Sequence, residues 1–239
     1  MKNKIPIIEL KWDTRLLKKK IGRLCMLPDY IKKIDTILDG ARSKGYLYLT
    51  CRIEPPEFSQ VRSLESAGFY LTDVGVTLEI KKQDLYLGEN LLKVPINTAT
   101  IKDIPILKKI IKSLFLHSRF YHDPFFTKDD ADKIYQAWIE DAIRGISADK
   151  VFWVKNKGFI VCKKSHLKIG EISLIGVANK FRGKGIGRAL LASSLKWFYR
   201  QGLNKVRVRT QLNNINSLNF YLSAGFKLYS CDMVFGKIL

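Results

Sequence analysis

Cysteine is scarce. The four cysteines, Cys25, Cys51, Cys162 and Cys231, are widely scattered, which excludes CxxC metal pairs, argues against a disulfide scaffold and points to a cytoplasmic protein with no metal site. Long apolar runs are also missing: none approaches the roughly 20 residues of a membrane-spanning helix, and no signal peptide is visible at the N-terminus. Acidic side chains are few, 22 against 42 Lys and Arg, for a net charge of +20. The deficit is local. Residues 1–95 hold 17 basic and 12 acidic side chains, whereas residues 151–239 hold 16 basic and only two acidic ones, Glu171 and Asp232. An anionic partner is therefore expected at the C-terminal third, whether a phosphorylated small molecule, nucleic acid or an anionic membrane. What is plentiful argues for a folded chain. Hydrophobic residues are 46% and aromatics 11% of 239 residues, enough for one large core or two small ones and too much for disorder.

The chain reads as two blocks. The first runs to about Lys82, and the polar stretch 83–93 reads as a linker. The second block opens with a strand-like segment, 91–101, then two helical stretches, 103–116 and 128–144. The first of these has apolar residues at helical spacing. Between them lies an aromatic and ionisable loop, His117–Phe126. Strands are expected over 151–162, 168–177 and 205–210, helices over 185–200 and 214–223, and one or two closing strands over 226–238. Gly225 is a natural helix stop.

The two blocks echo each other. Ser-Ala-Gly-Phe occurs at 66–69 and again at 223–226, and each copy follows a helix-ending glycine, Gly45 or Gly202, by the same interval. The offset, 225 − 68 = 157, is too long for a solenoid repeat and suggests two related α/β halves.

The strongest local feature is Ile175–Leu190, IGVANKFRGKGIGRAL. A strand ends, a glycine-rich turn follows, and a helix starts at once. Glycines admit close approach of a ligand to the backbone, and free amides at a helix N-terminus make an anion site. Arg182, Lys184 and Arg188 add full positive charge. The spacing is not that of a P-loop, which ends in GK[ST], nor of a dinucleotide fold, which needs a later ribose-binding acid.

The run Arg182-Gly183-Lys184-Gly185-Ile186-Gly187 resembles motif A of the GNAT N-acetyltransferase superfamily. Asn214-Ile215-Asn216-Ser217-Leu218-Asn219-Phe220-Tyr221, followed by Ser223-Ala224-Gly225-Phe226, resembles the same superfamily's N-x-x-A-x-x-F-Y-x-x-x-G-F signature, with Ser217 where Ala is usual. The resemblance covers about 94–239. It implies an α/β (α+β) GNAT fold, with a central mixed, mostly antiparallel sheet flanked by helices, as the catalytic domain over 94–239. It implies acetyl-CoA as cofactor, with its pyrophosphate on the amides of Gly183, Lys184, Gly185, Ile186 and Gly187 and on Arg182 and Arg188. The pantetheine arm would lie against the Val177 backbone, Asn214 and Ser217. Tyr221 would stand near the thioester and protonate the leaving thiolate. Glu171 is the candidate base or substrate anchor. It lies six residues before Val177 on one strand, a spacing that puts both side chains on one face.

Ser118-Arg119-Phe120, with Asp123 and the later Tyr135-x-x-Trp138-Ile139-Glu140-x-x-x-Arg144-Gly145, resembles the TDP-fucosamine N-acetyltransferase branch. That implies a nucleotide-linked amino-deoxy sugar, acetylated by direct amine attack, with Arg119, Phe120, Tyr121 and Asp123 at the acceptor. It also implies a truncated GNAT-like half over 1–82. Counting back by the offset sets Leu64 opposite Tyr221 and Cys25–Tyr30 opposite the glycine-rich turn. The first half is thus expected to be non-catalytic and to support the substrate site or a homodimer. The alternatives are another acceptor amine (an amino acid, polyamine, antibiotic or protein N-terminus) or a basic nucleic-acid-binding module. No recognised motif supports the latter, and no specific nucleic-acid partner is expected.

Overall fold

The computed structural model describes residues 6–25, 33–84, 94–112, 114–165 and 167–239. The segment 26–30, set opposite the glycine-rich turn, and 85–93 of the expected linker lie outside them. In chain order the elements are β1 (Ile7–Glu9), α1 (Lys11–Leu17), β2 (Ile21–Leu24), α2 (Ile34–Ser43), β3 (Tyr48–Ile53), α3 (Phe58–Ser66), β4 (Tyr70–Lys81), β5 (Asn97–Thr98), α4 (Ile104–Ile111), α5 (Arg119–His122), α6 (Lys128–Ile143), β6 (Lys150–Val154), β7 (Gly158–Lys164), β8 (Gly170–Val177), α7 (Ile186–Arg200), β9 (Lys205–Gln211), α8 (Ile215–Ser223) and β10 (Lys227–Ile238).

One ten-stranded sheet runs through the chain in the order β1-β2-β3-β10-β4-β9-β8-β7-β6-β5. Among the described residues only β2 with β3 and β8 with β9 pair parallel; the other neighbours are antiparallel. The expected mixed, mostly antiparallel sheet is therefore present, with helices packed against it. The segment 151–162 is two strands rather than one. Asn156 adopts a left-handed φ of 60° and turns the chain between β6 and β7 into a hairpin, a conformation Asn tolerates better than most residues. The helix expected over 103–116 is shorter, ending at Ile111, and the aromatic loop holds the short α5.

The repeat is visible in the elements. Adding 157 to the bounds of α3 and β4 gives the bounds of α8 and β10. The two closing strands change places: β10 pairs with β3 of the first block, and β4 pairs with β9 of the second. Each therefore finishes the sheet of the other block. Side-chain contacts also join the blocks. Trp12 Nε1 donates to Asp141 at 2.8 Å and Lys19 Nζ to Asp130 at 2.7 Å. Buried Asp123 accepts from the hydroxyls of Tyr48 and Tyr70. One core cluster accordingly mixes Leu17, Ile21 and Tyr48 with Leu107, Ile134 and Trp153.

Candidate active site

The glycine-rich turn has the geometry its sequence requires. Gly183 and Gly185 take φ values of 72° and 76°, a region costly for residues with a Cβ. A Cβ at 183 would meet nothing within 4 Å, so that side of the turn is open. Gly185 is the N-cap of α7, so the unpaired amides of the first helical turn face out of the loop beside Arg182, Lys184 and Arg188. Arg182 Nε donates to the Val177 carbonyl at 3.1 Å and ties the turn to the end of β8. These residues fit a diphosphate.

Next to the turn the sheet opens. Strands β8 and β9 pair only from Gly170 to Ile172, with the last register at Val208. Beyond that, β9 stays paired with β4 and β8 with β7. The β8–β9 gap leads into a cavity of about 380 Å³. Tyr221, Asn214 and Ser217 line it from the α8 side, Arg119 and Phe120 from α5, and Leu174 and Ile175 from β8. Five residues singled out in the sequence thus meet in one place. Asn214 also caps α8, its Oδ1 accepting from the Ser217 amide at 3.2 Å. Tyr221 is only 2% exposed, and burial alone pushes its phenol well above the ordinary value of 10. It is held neutral and able to donate a proton.

Other expected residues lie elsewhere. Glu171 does not line the cavity, and it does not share a face with Val177. A bulge at Ser173, between the registers Cys162 with Ile172 and Val161 with Leu174, reverses the alternation, so Ile172, Ile175 and Val177 pack in one core cluster and Leu174 in the other. Evenly spaced residues across such a bulge face opposite ways. Tyr121 donates to Asp132 at 2.7 Å and stacks on Tyr135. Asp123 is occupied by the two tyrosine hydroxyls and the Phe125 amide. Neither lines the cavity, although Tyr121 backs Tyr135, which does.

The first block supplies cavity residues that the sequence reading did not assign. Trp12 and Asp13 from α1, Arg23 from β2, Arg52 from β3 and Asp73 from β4 line the same cavity, with Arg209 from β9. Trp12 stacks on Trp138, centroids 6.2 Å apart, to form an aromatic wall. Burial raises the Asp13 carboxyl above its ordinary 3.8, against the pull of Arg119 and Arg23. Burial and the neighbouring Arg209, with Arg119 and Arg23, lower the Arg52 guanidinium, opposed by Asp232. One signal for these residues was available: Arg52 and Arg209 are separated by the repeat offset, 209 − 52 = 157.

Residues 113–226 match the Acetyltransferase (GNAT) family. A dTDP-fucosamine acetyltransferase of Escherichia coli O6:H1 is 28% identical over 156 residues, 60% of this chain and 66% of that protein. The spore coat polysaccharide biosynthesis protein SpsD of Bacillus subtilis is 23% identical over 238 residues, 90% of this chain and 76% of that one. A GCN5-related N-acetyltransferase from Sphaerobacter thermophilus shares the fold, with a TM-score of 0.65 at 14% identity over 97% of this chain and 76% of that one. The chain contains a GNAT acetyltransferase domain. Among the described residues no helix is long and apolar enough to cross a membrane, and no group of three or more His, Cys, Asp and Glu could hold a metal ion.

Proposed function

We propose that this chain is an acetyl-CoA-dependent N-acetyltransferase of the cytoplasm, acting on the amino group of a nucleotide-linked amino-deoxy sugar. Residues 94–239 carry the cofactor site and the acid Tyr221, and residues 1–82, expected to be a non-catalytic half, complete the acceptor site and supply its base. The observation that carries this reading is the single cavity in which Tyr221 of one block faces Asp13, Arg23 and Arg52 of the other. The sugar-directed names of the two relatives support the acceptor class.

Acetyl-CoA supplies an acetyl group activated as a thioester. Gly183–Gly187 with Arg182, Lys184 and Arg188 hold its diphosphate, and the unpaired edge of β8 up to Val177, with Asn214, holds the arm. The remaining chemistry belongs to side chains. Tyr221 keeps its proton until the thiolate leaves and then donates it. Asp13 is the carboxylate in the cavity with a desolvated, raised pKa; it takes the base role expected of Glu171 and receives the proton of the acceptor ammonium. The aromatic wall of Trp12 and Trp138 stacks against the sugar or base.

Thiol release from acetyl-CoA, followed across TDP- and UDP-amino sugars, polyamines and peptides, tests this reading. Turnover with the nucleotide amino sugars is expected. Turnover confined to polyamines or peptides would refute the acceptor class.

A further inference from the structure

Five charged side chains stand in a row on one face of the sheet at the junction of the blocks: Arg23 on β2, Arg52 on β3, Asp232 on β10, Asp73 on β4 and Arg209 on β9. Their pairing is uneven. Arg209 takes both carboxylates, donating to Asp232 at 2.6 and 2.7 Å and to Asp73 at 3.0 Å. Arg52 retains only the 3.4 Å approach of its Nε to Asp232, and its side chain is 50% exposed. Among the described residues Arg23 and Arg119 have no carboxylate within ion-pair distance. A buried guanidinium nitrogen of Arg119, Nη1, has no acceptor. Asp13, the other acid lining the cavity beside Asp73, is among the described residues within ion-pair distance of none of these arginines.

We propose that Arg23 and Arg52 of the first block, with Arg119 of the second, form a seat for a diphosphate carried by the acceptor, separate from the cofactor's diphosphate site at the glycine-rich turn. The inference rests on the acceptor reading above and assigns its anionic part to named residues. Three under-paired guanidiniums around one cavity repel each other, and an anion relieves that repulsion. A carboxylate has two oxygens and saturates one arginine fork. A diphosphate presents anionic oxygens on two phosphorus atoms and can meet several forks at once. Arg23 pairs in register with Thr50, two residues before Arg52 on the adjacent strand, so both long side chains rise from the same sheet face with Arg119 opposite. None of residues 182–188 lines this cavity, so the two seats are distinct. The first half, which lacks a tyrosine opposite Tyr221, thereby has a binding role of its own.

The test is calorimetric titration of inorganic pyrophosphate, and then of TDP, into protein already saturated with CoA so that the glycine-rich turn is filled. Binding by the wild type is expected, weakened at least tenfold in Arg23→Gln and in Arg52→Gln, each loss matching about one charge-assisted hydrogen bond. CoA affinity should be unchanged in both. Arg23 is exposed and bonded to no carboxylate, so its variant folds even if Arg52→Gln, which loses a contact to Asp232, does not. Absence of pyrophosphate and TDP binding in the CoA-filled wild type, or equal affinity in Arg23→Gln, would overturn the proposal. The readout does not depend on acetyl transfer. If no nucleotide sugar is acetylated while Arg23→Gln still loses pyrophosphate, the seat stands and the acceptor reading falls.

Discussion

Arg209 reaches over Gly75 to grip Asp232 with two hydrogen bonds, Nε to Oδ2 at 2.7 Å and Nη2 to Oδ1 at 2.6 Å. Asp232 lies on β10, and Gly75 is its register partner on β4. A Cβ at 75 would fall inside the Arg209 guanidinium, so the glycine is what lets an arginine on β9 reach past the intervening strand. The pair ties β10 to β9 across the intervening β4, beside the cavity that Arg209 lines.

Replacing Arg209 with Met should therefore destabilise the fold. Asp232 is 1% exposed and would keep only the distant Arg52 as a partner. Breaking a buried pair from one side costs about 3–5 kcal/mol. Urea unfolding should show a loss of this size at pH 7, and Gly75→Val should show a comparable one.

Asp13→Asn should raise stability and lower activity together. The folded-state pKa of Asp13 is raised by burial more than Arg119 and Arg23 lower it, so ionisation is less favourable in the folded chain than in the unfolded one. The resulting penalty is present at neutral pH and disappears as pH falls below the ordinary carboxylate pKa of about 4. The variant should melt higher than wild type at pH 7, with the difference vanishing near pH 4. Acetyl transfer should fall about 100-fold as the base is lost, and the rising limb of the pH profile of kcat/KM should flatten.

Gly185→Val should abolish CoA binding in a folded protein. The φ of 76° at the N-cap of α7 is strained by roughly 1–2 kcal/mol for a residue with a Cβ, and the turn would relax away from its open form. Calorimetry with CoA, beside circular dichroism to check folding, reads the effect. Normal affinity in a folded variant would remove the turn from the cofactor site.

Much of the site was legible because its signals are local. The turn at Arg182–Gly187 and the helix carrying Tyr221 depend on spacing within a few residues, and the 157-residue offset preserved the bounds of α3 and β4 in α8 and β10. The strand exchange was not legible, because which strand lies beside β3 is decided by packing between partners such as Ile53 with Met233 and Tyr48 with Ile238, far apart in the chain. Arg209 and Asp232 meet for the same reason, and the sequence shows them only as a charge and one of two acids in a basic region. Glu171 was set on the face of Val177 by counting, and a single bulged residue undid the count. Asp13 was hidden because its importance comes from facing a cavity built mainly by the other block.

Acetyl transfer is expected to run through Tyr221 in the shared cavity. Its most direct test compares wild type and Tyr221→Phe in the transfer of acetyl from acetyl-CoA to a TDP-linked amino sugar, with the N-acetylated product identified by mass. The phenylalanine variant is expected to bind acetyl-CoA as tightly as wild type and to turn over at least 100-fold more slowly, the lower end of what a positioned acid contributes. Turnover equal to wild type in that variant would contradict the account.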